Sequence, residues 1–260
     1  MEYIGEILDP HQFGSLHGCS TTMALIELYH NWLAALETQG KVVRIIFLDF
    51  QKAFDRVDHH ILLNKLANTG MPNFLITWIT SFLCERQQRV KVGDVRSEWT
   101  GVNAGVPQGT LIGPVTFLLH INDLKTVCES EKYVDDASIW EVCDREGEDS
   151  QIQEAADQAA LWSDKNNMRI NVDKTKEMTV YFGTKKHKLE RVVLNGKELE
   201  EVTKIKSLGV WLNNNLTWHD HVDYMTSKAS TRLYFLCMLR RVGIPPQDIY
   251  QVYTSVIQSV

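Results

Sequence analysis

Three absences limit the kind of protein that this sequence can encode. The chain has no uninterrupted apolar run near the roughly 18 residues of a membrane-spanning helix, and its N-terminus has neither the basic nor the apolar region of a signal peptide. Its five cysteines are odd in number, far apart and never spaced as Cys-x-x-Cys, which argues against a disulfide framework and a zinc knuckle. We therefore expect an intracellular, reduced protein with no membrane partner and no visible targeting signal.

An excess of positive charge is absent as well. The formal net charge is −6 at pH 7, whereas nucleic-acid-binding domains are usually basic. Acidic side chains dominate residues 141–157, while basic side chains gather in three other stretches, 86–91, 185–188 and 228–241. An acidic outer face combined with separate basic stretches gives this balance, so composition leaves nucleic-acid binding undecided.

The chain does contain enough apolar sequence for a sizeable core. It has 260 residues, 44% of them apolar and 23% charged, which is typical of globular proteins. Apolar spacing predicts helices over 20–39, 59–68, 72–82, 113–124, 150–168 and 219–241, with another after Pro245-Pro246. It predicts strands over 42–48, 88–92, 95–102, 178–182, 192–194 and 205–212. Hairpins among helices indicate an α+β fold.

The stretch Tyr133-Val134-Asp135-Asp136 holds two adjacent carboxylates between short apolar runs. Asp is rare inside strands and frequent in turns, so the pattern predicts a strand, a tight turn and a second strand. Two like charges side by side repel each other unless a cation binds there. For an isolated Asp-Asp pair, an exposed acidic turn is the alternative interpretation.

Asp49 supplies a third carboxylate. It follows residues 42–48, an almost wholly apolar run that predicts a strand buried on both faces. If this strand neighbours the Asp135-Asp136 hairpin, three carboxylates converge at one sheet edge. Divalent cations such as Mg²⁺ prefer oxygen ligands, and two of them roughly 3.5–4 Å apart suit nucleotidyl transfer. A cap at the end of a strand is the structural alternative for Asp49.

Longer motifs carry a resemblance to a known family. Residues 46–59, Ile-Phe-Leu-Asp-Phe-Gln-Lys-Ala-Phe-Asp-Arg-Val-Asp-His, resemble the first catalytic motif of non-LTR retrotransposon reverse transcriptases. In family order follow stretches similar to the nucleotide loop (103–110), the aromatic-x-Asp-Asp signature (133–136), the fourth motif (171–176) and the primer-grip hairpin (208–210). The N-terminal segment 11–14, His-Gln-Phe-Gly, and residues 228–241 extend the match. Jockey- and CR1-like elements are the most similar.

The resemblance implies a reverse transcriptase palm with an antiparallel sheet and packed helices, partial fingers and the start of a helical thumb. Residues 1–212 would form fingers and palm, and residues 213–260 the thumb, in a chain truncated at both ends. The implied function is an RNA-directed DNA polymerase that extends a primer 3′-hydroxyl by two-metal nucleotidyl transfer. It implies an RNA template, a DNA primer, deoxynucleoside triphosphates and two Mg²⁺ ions, with Mn²⁺ as a substitute. The resemblance also implies that the protein acts in the nucleus.

The same resemblance implies metal-binding and catalytic residues. The metal ligands would be three carboxylates, those of Asp49, Asp135 and Asp136. Asp136 would be either a full ligand or a helper. Lys174 best matches the lysine that could protonate pyrophosphate, with Lys176 as a rival and a solvated charge run as the structural alternative.

Further residues would contact the substrates. Those on the nucleotide side are Phe50, Phe54, Gln108 and Gly109. Phe54 lies five residues after Asp49, where the family has an aromatic side chain that excludes a ribose 2′-hydroxyl. Those on the primer and template side are Leu208, Gly209, Lys228 and Arg232. The structural alternatives are a core phenylalanine for Phe54, a structural turn for Gln108 and Gly109, a bulge for Gly209, and a solvated helix face for Lys228 and Arg232.

The chain departs from the family's pattern in two places. Basic residues usually follow Gln-Phe-Gly in relatives, whereas Ser15-Leu16-His17-Gly18-Cys19 follows here. The chain also begins too late to contain the family's basic fingers motif. A catalytically silent nucleic-acid-binding remnant is therefore an alternative function. A two-metal nuclease shares the carboxylates but leaves Phe54 and Pro107-Gln108-Gly109 unexplained.

Overall fold

The computed structural model describes residues 7–183 and 189–258. The chain forms two compact units, one ending at Val202 and the other beginning at Thr203. The break between them precedes the predicted division at 212/213, because the hairpin before residue 213 packs against the long helix of the second unit. The functional division into palm and thumb stays a prediction. The basic stretch at 185–188 lies outside the described residues.

Helices form over most of the amphipathic stretches. In the first unit they are α1 (Thr21–Leu36), α2 (His59–Asn68), α3 (Asn73–Leu83), α4 (Ile112–Ile121) and α5 (Ile152–Lys165), with a short 3₁₀ turn at Phe54–Arg56. In the second unit they are α6 (His219–Arg241) and α7 (Pro246–Val252), which continues into a π-helical segment at Tyr253–Ile257. In the described part of the chain, no helix has both the length and the apolar character needed to cross a membrane.

Two helix starts show how local sequence fixes these elements. The Ser20 hydroxyl accepts a hydrogen bond from the Met23 N–H at 3.2 Å and caps α1. The Asp58 carboxylate accepts from the backbone N–H groups of His60 and Ile61 and caps α2. The apolar residues that recur along α1 at steps of three and four are all buried: Leu25, Leu28, Trp32 and Leu36.

Among the described residues, the strands form one five-stranded sheet and four two-stranded ladders. They are β1 (Lys41–Leu48), β2 (Arg86–Gln88), β3 (Lys91–Val92), β4 (Val95–Arg96), β5 (Thr100–Val102), β6 (Glu129–Tyr133), β7 (Asp136–Asp144), β8 (Lys176–Val180), β9 (Val193–Leu194), β10 (Lys197–Glu198), β11 (Glu200–Glu201), β12 (Lys204–Ser207) and β13 (Val210–Asn213). The larger sheet has the order β11-β8-β1-β7-β6. Its neighbours are antiparallel except β11 and β8. The predicted α+β fold is confirmed.

β1 is the middle strand of that sheet and is buried on both faces, as predicted. Ile46 and Leu48 belong to the main apolar cluster, which also includes Phe117 of α4 and Ala156 of α5. Alternate residues of a strand face opposite sides, and α1 also packs against β1. The strand that leads to Asp49 is therefore held from both sides.

Three details of the predicted elements are wrong. The apolar spacing of this helix predicts Leu75, Trp78, Ile79 and Phe82 on one side of α3. Trp78 is nevertheless 54% exposed, because Ile79 and Leu83 supply the buried positions of the helix. The strands predicted over 88–92 and 95–102 are broken into two ladders, β2 with β5 and β3 with β4. The pairing register shifts by one residue between the two ladders, and there the Val90 N–H donates to Ser97 Oγ rather than to a backbone carbonyl.

The third detail is the continuous strand predicted over 205–212: the chain forms a hairpin of β12 and β13 there, as the resemblance at 208–210 implies. Leu208 and Gly209 have φ values of 47° and 89°. Positive φ at two consecutive residues is incompatible with a strand and typical of a type I′ turn. The chain therefore reverses direction at these two residues.

Candidate active site

The register of the sheet brings Asp49 to the Asp135-Asp136 pair. Leu48, the last residue of β1, pairs with Ala137 of the antiparallel strand β7. The next residue after β1, Asp49, therefore emerges opposite Asp136, and Asp135 lies in the two-residue turn between β6 and β7. The strand–turn–strand and the adjacency of its second strand to β1 are both confirmed. Three carboxylates share one edge of the sheet.

The charges of these carboxylates interact. Desolvation and the charge of Asp49 raise the pKa of Asp135 above its ordinary value. Desolvation and the charges of Asp135 and Asp49 raise the pKa of Asp136. A raised carboxyl pKa means that the ionised form is disfavoured at this edge, so a cation bound there would relieve the repulsion.

The fit of a metal ion to this edge can be judged from the donor set. Among the described residues, no group of three or more His, Cys, Asp or Glu side chains is gathered closely enough to hold a metal ion as it stands. The chemistry of the donors nevertheless fits a hard divalent cation, because carboxylate oxygens are its preferred ligands and because Asp49 raises the pKa of both neighbours.

A second segment braces Asp49. The backbone N–H of Asn171 donates to the carbonyl oxygen of Asp49 at 2.7 Å, and the backbone N–H of Asp49 donates to Thr175 Oγ1 at 3.2 Å. The loop that carries Lys174 is thereby fixed beside Asp49.

The two candidate lysines of this loop differ in their surroundings. Lys176 Nζ forms an ion pair with Glu200 at 2.6 Å and donates to the carbonyl oxygen of Asp173. The Lys174 side chain is exposed to solvent. The ion pair engages the Lys176 ammonium group, and the catalytic role proposed for either lysine stays a prediction.

The loop of residues 103–110 is fixed to the chain that follows Asp49. The Val106 N–H donates to the carbonyl oxygen of Phe54 at 2.8 Å. Gly105 has a φ of 87°, and a Cβ there would lie 2.9 Å from the carbonyl oxygen of Asp55. Glycine is required at this position by both its conformation and the close approach of the two backbones.

A polar cavity of about 610 Å³ opens beside this loop. It is lined by Pro107 and Gln108 of the loop and by Lys52, Asp55 and Arg86. The sequence alone places neither Lys52 nor Arg86 in the site. Lys52 lies within the first motif, but Arg86 lies outside every motif, and nothing in the spacing indicates that β2 pairs with β5.

Phe54 and Phe50 have different environments. Phe54 is half-buried and its ring stacks on that of Phe117, with centroids 4.7 Å apart and an interplanar angle of 13°. Phe50 is buried, and its ring meets Trp162 edge to face at 6.0 Å. The structure therefore makes the Phe50 side chain part of the core. Its predicted contact with a nucleotide stays a prediction that only the backbone of Phe50 could fulfil.

The tip of the loop is exposed to solvent, whereas the residue that follows it is held by hydrogen bonds. Gln108 and Gly109 are both exposed, and Gly109 has a φ of 77°. Thr110 Oγ1 accepts from the Gly113 N–H at 3.1 Å and donates to the carbonyl oxygen of Pro107 at 2.9 Å. The loop is thus tied to the start of α4 while its tip stays open to solvent.

Four of the predicted residues lie in the second unit. Leu208 and Gly209 form the type I′ turn of its hairpin. Lys228 lies one turn before Arg232 on α6. The Arg232 guanidinium donates to the carbonyl oxygen of Val256, so this side chain holds α6 to the last helical segment of the unit.

Comparison with known proteins gives a family match. A family model described as "Reverse transcriptase (RNA-dependent DNA polymerase)" matches residues 1–212. The RNA-directed DNA polymerase from mobile element jockey of Drosophila melanogaster is 30% identical over 85% of this chain and 25% of its own length. The probable RNA-directed DNA polymerase from transposon X-element of the same organism is 29% identical over 87% of this chain and 25% of its own length. The chain thus spans about a quarter of these curated relatives.

Solved structures show the fold at lower sequence identity. Telomerase from Candida tropicalis with a fragment of telomeric RNA has a TM-score of 0.55 at 14% identity, over 76% of this chain and 32% of that chain. Telomerase from Candida albicans with a similar fragment has a TM-score of 0.54 at 14% identity, over 92% of this chain and 44% of that chain. At this identity the likeness shows the fold alone.

Proposed function

This chain belongs to the reverse transcriptase family, and from that membership we propose that it carries out RNA-directed DNA synthesis for a non-LTR retroelement of the jockey type. Its palm-like fold and its jockey, BS and X-element relatives agree with the resemblance found in the sequence. The observation that carries the proposal is the sheet register, which brings Asp49 opposite Asp136 beside the turn that holds Asp135. Carboxylates gathered at one sheet edge can hold the two divalent ions that nucleotidyl transfer uses.

Reverse transcriptases generally use divalent metal ions, and the carboxylate edge is where this chain would hold them. In the proposal Asp49, Asp135 and Asp136 bind two Mg²⁺, for which Mn²⁺ can substitute. The bound ions would supply activation of the primer hydroxyl and stabilisation of the departing pyrophosphate. Asp49 is kept in place by the hydrogen bonds of its backbone to Asn171 and Thr175.

The nucleotide would bind beside the loop of residues 103–110. Gln108 lines the polar cavity there, and Gly109 leaves room for close approach at the tip of the loop. Lys52 and Arg86 add two positive charges to the lining, which suits a triphosphate. Lys174 would donate a proton to pyrophosphate as it leaves.

The second unit would contact the nucleic acid. In the proposal Leu208 and Gly209 meet the primer, while Lys228 and Arg232 follow the phosphate backbone, where each contact adds salt-dependent affinity. Arg232 also serves the unit's own packing through Val256. We propose the nucleus as the place of action, since the proposed elements insert into chromosomal DNA.

Primer extension tests the proposed function. The purified chain is incubated with an RNA template, a labelled DNA primer, deoxynucleoside triphosphates and Mg²⁺. We expect lengthened primers that follow the template sequence, and we expect EDTA to abolish them. Binding to the primer–template that weakens with salt but never gives extension would instead identify a catalytically silent remnant, and cleavage of the template would identify a nuclease.

A Phe54→Ala variant is expected to accept ribonucleotides more readily. Removing the ring that stacks on Phe117 opens space beside the proposed nucleotide site, so a ribose 2′-hydroxyl no longer meets a steric barrier. The ratio of ribonucleotide to deoxynucleotide kcat/KM should rise roughly 10- to 100-fold, the range that steric selection in a pocket provides. Phe54→Tyr keeps the ring and should leave the ratio unchanged. If the ratio of ribonucleotide to deoxynucleotide kcat/KM did not change in Phe54→Ala, Phe54 would have a role in packing only.

A further inference from the structure

The turn that carries Asp135 is conformationally strained. It consists of Val134 and Asp135, and Val134 has a φ of 60°. Glycine adopts such a conformation without cost, whereas a β-branched residue there is an outlier that the surrounding structure must enforce. Something outside the hairpin must therefore hold this turn.

The N-terminal segment of residues 11–14 lies against the hairpin that ends in this turn. Its backbone pairs with β6: the Phe13 N–H donates to the carbonyl oxygen of Lys132, and the Lys132 N–H donates to that of His11, both at 2.9 Å. A buried ion pair between Lys132 and Asp9, 2.7 Å long, fastens the same segment. The segment is thus a fixed support for the catalytic hairpin.

Gln12 connects this support to the strained residue. Its side-chain oxygen accepts the N–H of Gly14 at 2.9 Å and the N–H of Val134 at 3.1 Å. Gln12 is only 3% exposed. Its Nε2 is buried without a hydrogen-bond partner among the described residues, which is an unfavourable state for an amide. The two hydrogen bonds that the side-chain oxygen accepts must therefore offset the free-energy cost of the unpaired amide nitrogen.

Gly14 completes the contact. A Cβ on Gly14 would lie 2.5 Å from Val134 Cγ2 and 2.5 Å from the Val134 nitrogen. Any larger residue would displace the turn. The backbone of Gly14 and the side chain of Gln12 therefore enclose Val134 from the same side.

We propose that Gln12 is a positioning residue, which holds Val134 in its strained conformation and thereby fixes the direction of the Asp135 and Asp136 carboxylates. Gln12 does not touch the reacting atoms, so it acts through the turn. The inference rests on the proposed polymerase function for its consequence in catalysis, but its structural part is independent of that function. A catalytic group displaced by about 1 Å can lose roughly 100-fold in rate.

Gln12→Met is the direct test, because methionine keeps the volume and removes the acceptor. We expect kcat for primer extension to fall roughly 10- to 100-fold with little change in the KM for nucleotide. Adding Val134→Gly should restore much of the loss, since glycine needs no support at positive φ. Gln158→Met is the matched control: the Gln158 side chain also accepts a backbone N–H, that of Val127 at 2.8 Å, and its loss should leave kcat unchanged.

Hydrogen exchange followed by mass spectrometry gives a readout that does not depend on activity. The peptide that contains the Val134 amide should exchange roughly tenfold faster in Gln12→Met than in the wild-type chain, because one of its hydrogen bonds is lost. If Gln12→Met does not fold, Gly14→Ala replaces it, since the added methyl group displaces the same turn.

The outcomes separate the inference from the proposed function. A wild-type chain that never extends primers refutes the proposed function, and the exchange rate at Val134 then decides the inference alone. Normal extension and normal exchange in Gln12→Met would overturn it. An equal loss of kcat in Gln12→Met and in Gln12→Met/Val134→Gly would also overturn it, because Gln12 would then act elsewhere than on the strained turn.

Discussion

Replacing Asp135 by asparagine is expected to lower the rate of primer extension by roughly a thousandfold, the loss typical of removing a principal charge-stabilising group. Asparagine keeps the shape of aspartate and removes the charge that the proposed metal ions need. The same change relieves repulsion, since Asp135 raises the pKa of its neighbour Asp136. Thermal stability without metal should therefore stay equal or rise while activity is lost. Primer extension at saturating nucleotide, together with a thermal unfolding curve, measures both effects.

Asp94→Asn is the matched control for this experiment. Asp94 is exposed and lies with Gly93 in the tight turn between β3 and β4, so it shares the turn context but not the carboxylate edge. Its replacement should leave extension unchanged. Asp136→Asn should reduce extension by an amount that tells a full ligand from a helper. Equal incorporation by the wild-type chain and Asp135→Asn would remove Asp135 from the mechanism.

Local sequence predicted the elements of this site well because each has a strong one-dimensional signal. An apolar run that ends in Asp49 can hardly be anything but a buried strand, and an Asp-Asp pair between apolar runs favours a turn. The sequence alone does not show that these two elements are neighbours in the sheet. The strand register, which pairs Leu48 with Ala137, shows that they are.

The rest depends on contacts between distant parts of the chain. The support that Gln12 gives to Val134 spans 122 positions, and no apolar periodicity marks it. Arg86 reaches the cavity through a ladder that pairs it with Val102, and Phe50 enters the core because Trp162 lies opposite. Trp78 was misjudged since its spacing fits the apolar side of α3, yet the packing there stops at Ile79 and Leu83. Periodicity indicates which residues share a face, and it does not indicate how far a neighbour covers that face.

A buried ion pair in the central sheet gives the largest expected effect on stability. Arg44 of β1 and Glu177 of β8 are 2.6 Å apart, and their side chains are 5% and 3% exposed. The Arg44 guanidinium also donates to Ser150 Oγ and to the carbonyl oxygen of Glu190. We expect Arg44→Met to lower the free energy of unfolding by about 3–5 kcal/mol, because it leaves the Glu177 carboxylate buried without its partner. Urea denaturation followed by circular dichroism measures the loss.

We attribute that loss of stability to the Glu177 carboxylate, which stays buried without its partner. The double variant Arg44→Met/Glu177→Leu tests this cause. Replacing both partners by apolar side chains of similar size removes the buried charge, so most of the stability should return. Recovery should be incomplete, because Glu177 also accepts the N–H of Val192 at 3.1 Å. Arg191→Met is the surface control: its pair with Glu201 is 3.0 Å long and largely solvated, and its loss should cost less than about 1 kcal/mol. A double variant no more stable than Arg44→Met would show that the pair stabilises the sheet through its hydrogen-bond network rather than through compensation of charge.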